Sequence, residues 1–230
     1  MFSRLGKTKS MSANDLKKQD KNEWRLKKYL DGFGNIFALN VCFIIACIPI
    51  ITIGASLTAT YAMSIRLQEN EEETILHGFI HEFKRCFKQS TIAFIIVIIL
   101  LIILYGEFLV VNNFSGFIST FYFFVLVIEL LLFSLSTTFL FPILARYNNS
   151  IKNCFKNSFL LSVGYRWSWL KINVAWIAPI ALSIIYPTIF LQTWYFWFLL
   201  FFGAIIYGTS YTVRYVFNQN KIAFESDSLK

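Results

Sequence analysis

The chain has 230 residues, of which 57% are hydrophobic and 15% charged, with 26 Phe, 11 Tyr and 6 Trp. That balance excludes a water-soluble enzyme, which must cover its surface with charge, and it excludes disorder, which requires low hydrophobicity. An integral membrane protein remains, and the 21 Lys+Arg against 13 Asp+Glu become a question of which membrane face holds the basic residues.

In chain order, residues 1–31 read as a basic cytoplasmic tail in which Leu16, Trp24, Leu26, Tyr29 and Leu30 are interspersed with charge. Such a segment suits an anionic leaflet, or serves as a solvated tail that fixes orientation. No brief basic start leads into a short apolar run with a cleavage site, so no signal peptide is expected. Residues 32–65 carry no charge over 34 positions, about 50 Å as one helix and too long for a single ordinary span. In their middle, Pro49 removes a backbone donor and Gly54 loosens a helix. A returning hairpin and one long kinked helix both satisfy these facts.

Four further apolar runs have spanning length: Ile92 to Val111, Ile118 to Phe141, Ile172 to Leu191 with Pro179 and Pro187, and Trp194 to Val213. They are continuous rather than alternating, which selects helices over barrel strands. The expected fold is therefore all-α: a polytopic membrane helix bundle of five or six segments filling residues 32–217, with a polar tail at 218–230. Between the segments, two amphipathic helices are expected at the interface. Ile75, Leu76, Phe79, Ile80, Phe83 and Phe87 mark one over Ile75–Gln89, and Ile151, Phe155, Phe159 and Val163 mark the other. A membrane segment, an exit arginine (Arg66, Arg146) and an amphipathic helix thus recur, a weak internal repeat.

Charge favours the hairpin. Nine basic residues lie in the tail, four from Arg66 to Lys88, five from Arg146 to Lys171 and three from Arg214 to Lys230. If residues 32–65 return, all 21 share one face, which the positive-inside rule makes cytoplasmic together with both termini. On that topology Cys86 and Cys154 should resist a membrane-impermeant thiol reagent in intact cells.

The run Pro49-Ile50-Ile51-Thr52-Ile53-Gly54-Ala55-Ser56-Leu57-Thr58-Ala59, then Tyr61, then Phe79-Ile80-His81-Glu82-Phe83-Lys84-Arg85-Cys86-Phe87-Lys88-Gln89 resembles the YesL-like family of bacterial membrane proteins, whose function is unknown. Pro142 and Arg146 continue the likeness, which extends from about Gly32 to Arg214. The resemblance implies a plasma-membrane protein with an accessory or regulatory association with carbohydrate uptake, and partners such as ABC sugar transporter subunits or a sensor protein. It supplies no catalytic residues.

Glu129, near the middle of a 24-residue apolar run, is the sharpest candidate for chemistry, because an ionised side chain there costs several kcal/mol, about 3 or more. Proton coupling, substrate contact and a polar lock onto Arg146, Asn173 or Ser134 all fit it; Glu107 is expected to reach the outer interface. Pro49, Gly54, Ala55 and Ala59 are candidate hinge and packing residues, since small residues four apart let membrane helices approach closely. Phe79, Phe83, Lys84, Arg85, Phe87 and Lys88 are candidates for cytoplasmic docking of a partner or of anionic lipid. His77 and His81 stand four apart without the acid of a metalloprotease motif, and the cysteines lack zinc spacing. No cofactor, metal, nucleic-acid partner or catalytic activity is expected. The reading is a non-enzymatic accessory membrane protein docking through its basic face; a small transporter or channel subunit using Glu129 is the alternative.

Overall fold

The computed structural model describes residues 32–69, 74–111, 113, 116–147, 149–196 and 201–220. The expected N-terminal tail therefore lies outside the described residues.

Helix α1 (Gly32–Ala46) ends where Pro49 takes an extended conformation (φ −78°, ψ 118°) ahead of a 3-10 turn at Ile50–Thr52. The Thr52 hydroxyl donates to the Ala46 carbonyl at 2.5 Å and the Pro49 carbonyl at 2.6 Å, so backbone acceptors freed by the break are satisfied locally. Helix α2 (Ile53–Gln68) then runs back. Leu39 of α1 packs with Ala59 and Met63 of α2, residues that a single rod would hold roughly 30 Å or more apart. The disputed segment is a returning hairpin.

Helix α3 (Ile75–Val111) has 37 residues, about 55 Å of helix. The amphipathic helix and the span expected at 75–89 and 92–111 are one continuous rod. Only Ser90-Thr91 separates them, and nothing in that pair breaks a helix as Pro would. Helix α4 (Phe117–Thr137) starts after Gly116 in the positive-φ region (φ 74°) and yields at Thr138–Phe139 to α5 (Leu140–Arg146). Two serines of α6 (Ile151–Gly164) cover that break. Ser158 Oγ accepts from the Phe139 N–H at 3.1 Å and Ser162 donates to the Leu135 carbonyl at 2.7 Å. Helix α6 therefore buries Cys154, Ser158, Leu161 and Ser162; of the expected apolar stripe, Ile151 and Phe155 pack partly against the core, while Val163 is exposed.

The third and fourth expected spans also change. Helix α7 (Arg166–Ile185) keeps Pro179 inside it, but the chain breaks at Tyr186, because the residue before a proline is driven out of the helical region, and α8 (Pro187–Phe196) starts afresh. Helix α9 (Phe202–Gln219) replaces the end of the expected Trp194–Val213 span. Four helical stretches are long and apolar enough to cross a bilayer: Ile50–Gln68, Ile75–Val111, Phe117–Arg146 and Arg166–Ile185. The last helix is not among them within the described residues; on it Thr209, Ser210 and Arg214 bond to Tyr61 and Gln68 of α2. All described regular structure is helical, and the protein is an α-helical membrane bundle.

Helix α2 is its axis. Gly54, Ala55, Ser56, Thr58, Ala59, Thr60, Ala62 and Ser64 are all buried, and the hydroxyls of Ser56, Thr58 and Thr60 donate to carbonyls four residues back at 2.9, 2.9 and 2.7 Å. Small side chains that satisfy themselves let neighbouring backbones come close. A Cβ at Gly54 would lie 2.5 Å from both the Ser90 carbonyl oxygen and Phe94 Cβ, which fixes α2 against α3. On the other flank, Asn40 of α1, fully buried, accepts from the Gly203 N–H at 2.7 Å and so caps the start of α9.

Candidate functional site

Two polar constellations stand out, one at each end of α3. The first lies where α2, α5 and α9 end. Glu82 is 1% exposed; its Oε1 accepts from Arg66 Nη2 at 2.6 Å and its Oε2 from Arg85 Nε at 2.7 Å. Arg85 Nη2 also donates to the Ala145 carbonyl at 2.6 Å. Beside this triad, Arg146 pairs with Glu69 at 3.2 Å, and Arg214 donates to the Gln68 carbonyl at 2.7 Å. Arginines thus bind the carbonyl ends of α2 and α5, where the helix dipoles are negative, and Glu82 balances the charge they bring.

Glu82 was legible in the sequence but not singled out by it. It lies three residues after Phe79 and four before Cys86, so helical geometry puts it on their face, and both are buried. An acid on a buried face needs a basic partner, and Arg66, the exit residue of the preceding helix, is that partner.

The expected docking residues separate on the same helix. Phe79 is 4% exposed and belongs to the core with Leu39, Ala59 and Met63, so it is corrected from a docking residue to a packing residue. Phe83 packs partly against that cluster, its ring 6.1 Å from that of Phe79. Arg85 is held by Glu82. Lys84, Phe87 and Lys88 remain exposed, together with Leu76, His77, Ile80 and His81. Of the expected packing residues, Gly54, Ala55 and Ala59 are buried within the chain, while Pro49 is exposed at the hairpin tip among Ile48, Ile50 and Ile51.

The second constellation is a cleft of about 460 Å³ between α3 and α4, lined among others by Ile103, Gly106, Glu107, Tyr122, Leu126 and Glu129. Glu107, expected to reach the outer interface, lines this cleft together with Glu129. Glu129 Oε2 has no hydrogen-bond partner among the described residues. The expected partners are engaged elsewhere: Ser134 donates to Asn173 Oδ1 at 2.8 Å, Asn173 donates to Thr138 at 3.0 Å, and Arg146 is on Glu69. Among the described residues no group of three His, Cys, Asp or Glu could hold a metal ion.

A comparison with protein families matches residues 36–108 to a protein family of unknown function, DUF624. This is the YesL-like family. The matched region is similar to that family, runs from α1 through most of α3, and is shorter than the Gly32–Arg214 likeness read from the sequence. The match takes in Gly54, Arg66, Glu82, Arg85 and Glu107, and ends before Glu129. No curated protein and no solved structure matches the chain.

Proposed function

We propose that this YesL-like protein is a non-enzymatic accessory or regulatory membrane component that docks a partner on its basic face, the partner being a component of carbohydrate uptake such as an ABC transporter subunit or a sensor. The association with sugar uptake rests on the family resemblance alone. The docking rests on one observation: on the first half of α3, Gly78, Phe79, Glu82 and Cys86 are locked inward while Leu76, Ile80, Lys84, Phe87 and Lys88 face out. A face that mixes exposed aromatic and basic groups on a helix anchored by a buried ion triad is preorganised, and preorganisation reduces the ordering cost of binding. The face is cytoplasmic on the charge argument above, which keeps both termini on that side.

Photocrosslinkers placed at Lys84 and Lys88 in native membranes test the reading. It expects one or a few discrete adducts that disappear in a Lys84→Glu, Lys88→Glu double variant, with transporter or sensor subunits identified in them. Adducts to lipid alone count against it. Transport is the second reading, favoured by the Glu107–Glu129 pair in its cleft. Purified protein in liposomes that takes up a sugar, and loses the uptake in Glu129→Gln, would replace the docking reading.

A further inference from the structure

The groove between α7 and α9 is separate from both constellations. Lys171, Ala175, Ala204, Ile205, Gly208 and Thr212 line a depression of about 420 Å³, within the range of small-ligand sites. Its walls are almost wholly apolar, and small side chains form its floor. A Cβ at Gly208 would meet nothing within 4 Å, so the glycine opens the groove rather than serving a close helix contact. Thr209 turns its hydroxyl to the Ile205 and Ile206 carbonyls and to Tyr61, which leaves Lys171 as the one charged group on the lining. Lys171 is exposed and forms no ion pair among the described residues. Arg166 lies five positions before it, and the intervening Trp167 is 67% exposed. Basic and indole groups together at one end of an apolar helix mark headgroup depth.

An apolar channel with a cation at its basic, aromatic end has the chemistry of one ligand in particular. We infer that the α7–α9 groove binds a single anionic glycerophospholipid, with its phosphate on Lys171 and one acyl chain lying over Gly208. Charge complementarity selects the anionic headgroup, and the small-residue floor gives the chain a seat that bulk lipid against the ridged surface of α4 does not have.

The full-length protein in mild detergent, titrated with phosphatidylglycerol or phosphatidylcholine and read by native mass spectrometry, tests the site. The wild type should retain phosphatidylglycerol over phosphatidylcholine by about fivefold, the order of one lysine–phosphate interaction. Lys171→Gln should abolish the preference and Lys171→Arg should keep it. Gly208→Leu should fill the groove and lose both lipids, while Gly208→Ala should keep them; melting temperatures equal to wild type show that these variants fold. Lys152→Gln, at an exposed position of α6, should behave as wild type. Equal retention of the two lipids, a preference that survives Lys171→Gln, or full occupancy in Gly208→Leu would each overturn the assignment.

Discussion

Helix α2 and the α3–α4 hairpin are both long and apolar, yet they meet different surroundings. Two-thirds of the α2 window, 67%, is buried inside the protein, against 11% for the apolar window of α3 and 6% for that of α4 and α5. Their compositions answer to this. The packed helix is made of Gly, Ala, Ser and Thr, which allow close approach, whereas the sparse pair is made of Ile, Leu and Phe, whose bulk faces lipid. Their acids differ in the same way. Glu82, in the packed region, meets two guanidinium groups, while Glu129, in the sparse region, shares a cleft with Glu107. An acid enclosed by protein can be given its counter-charge by neighbouring helices; on the sparse hairpin Glu129 Oε2 has no hydrogen-bond partner among the described residues.

The contrast makes quantitative expectations. Gly54→Leu should be the most damaging change, by more than about 3 kcal/mol, because the new side chain starts within the Ser90 carbonyl and overpacking against backbone cannot relax through a rotamer. Gly106→Leu on the sparse side, where a Cβ meets nothing within 4 Å, should shift stability by no more than about 0.5 kcal/mol. Equal melting temperatures for these two variants in detergent would break the distinction between the regions.

Glu82→Ala should cost about 3 kcal/mol by leaving Arg66 and Arg85 without their acid. Glu129→Gln should cost about 0.5 kcal/mol or less. Thermal unfolding of the two side by side checks whether burial in protein, rather than an acid in an apolar run, sets the penalty. Asn40→Ala, which uncaps α9, should cost about 1 kcal/mol; no change would mean that the α1–α9 contact contributes little to the packed region.

The smallest energetic effect belongs to the orientation test. Cys86 and Cys154 are both buried, and burial pushes the Cys154 thiol up to about 11, so it stays protonated and inert whichever side it faces. Resistance of these native cysteines to an impermeant reagent therefore does not report topology. Lys84→Cys and Lys152→Cys, at exposed positions, do. They should label in inverted vesicles and not in intact cells, with no measurable loss of stability; labelling in intact cells would reverse the orientation.

Much of the architecture was readable from residues. The charge-free stretch about Pro49 left a hairpin and a kinked helix open, and the grouping of the basic residues on one face favoured the hairpin. The runs within α3, α4 and α7 announced themselves by length. Hidden from the sequence was which apolar helix faces lipid: hydrocarbon tails and leucine side chains are alike in polarity, so hydropathy does not show that α9 bonds to α2 through Thr209, Ser210 and Arg214. The phase of α3 was hidden too. Leu76, Ile80 and Phe87 continue the apolar spacing, but the fold buries Gly78, Phe79, Glu82 and Cys86 instead, because Phe79 packs with Leu39, Ala59 and Met63 and Glu82 is paired with Arg66 and Arg85.

By itself the sequence determines the class of protein, an α-helical membrane bundle, and the grouping of its 21 basic residues, since bilayer thickness and charge translocation act on the chain segment by segment. The tertiary structure decided the partners: Arg66 and Arg85 on Glu82, Glu107 beside Glu129 in one cleft, Asn40 on the start of α9, and α2 at the centre. Those choices depend on which helices lie side by side, and long-range packing is set by the fit of small surfaces that one-dimensional hydropathy does not record.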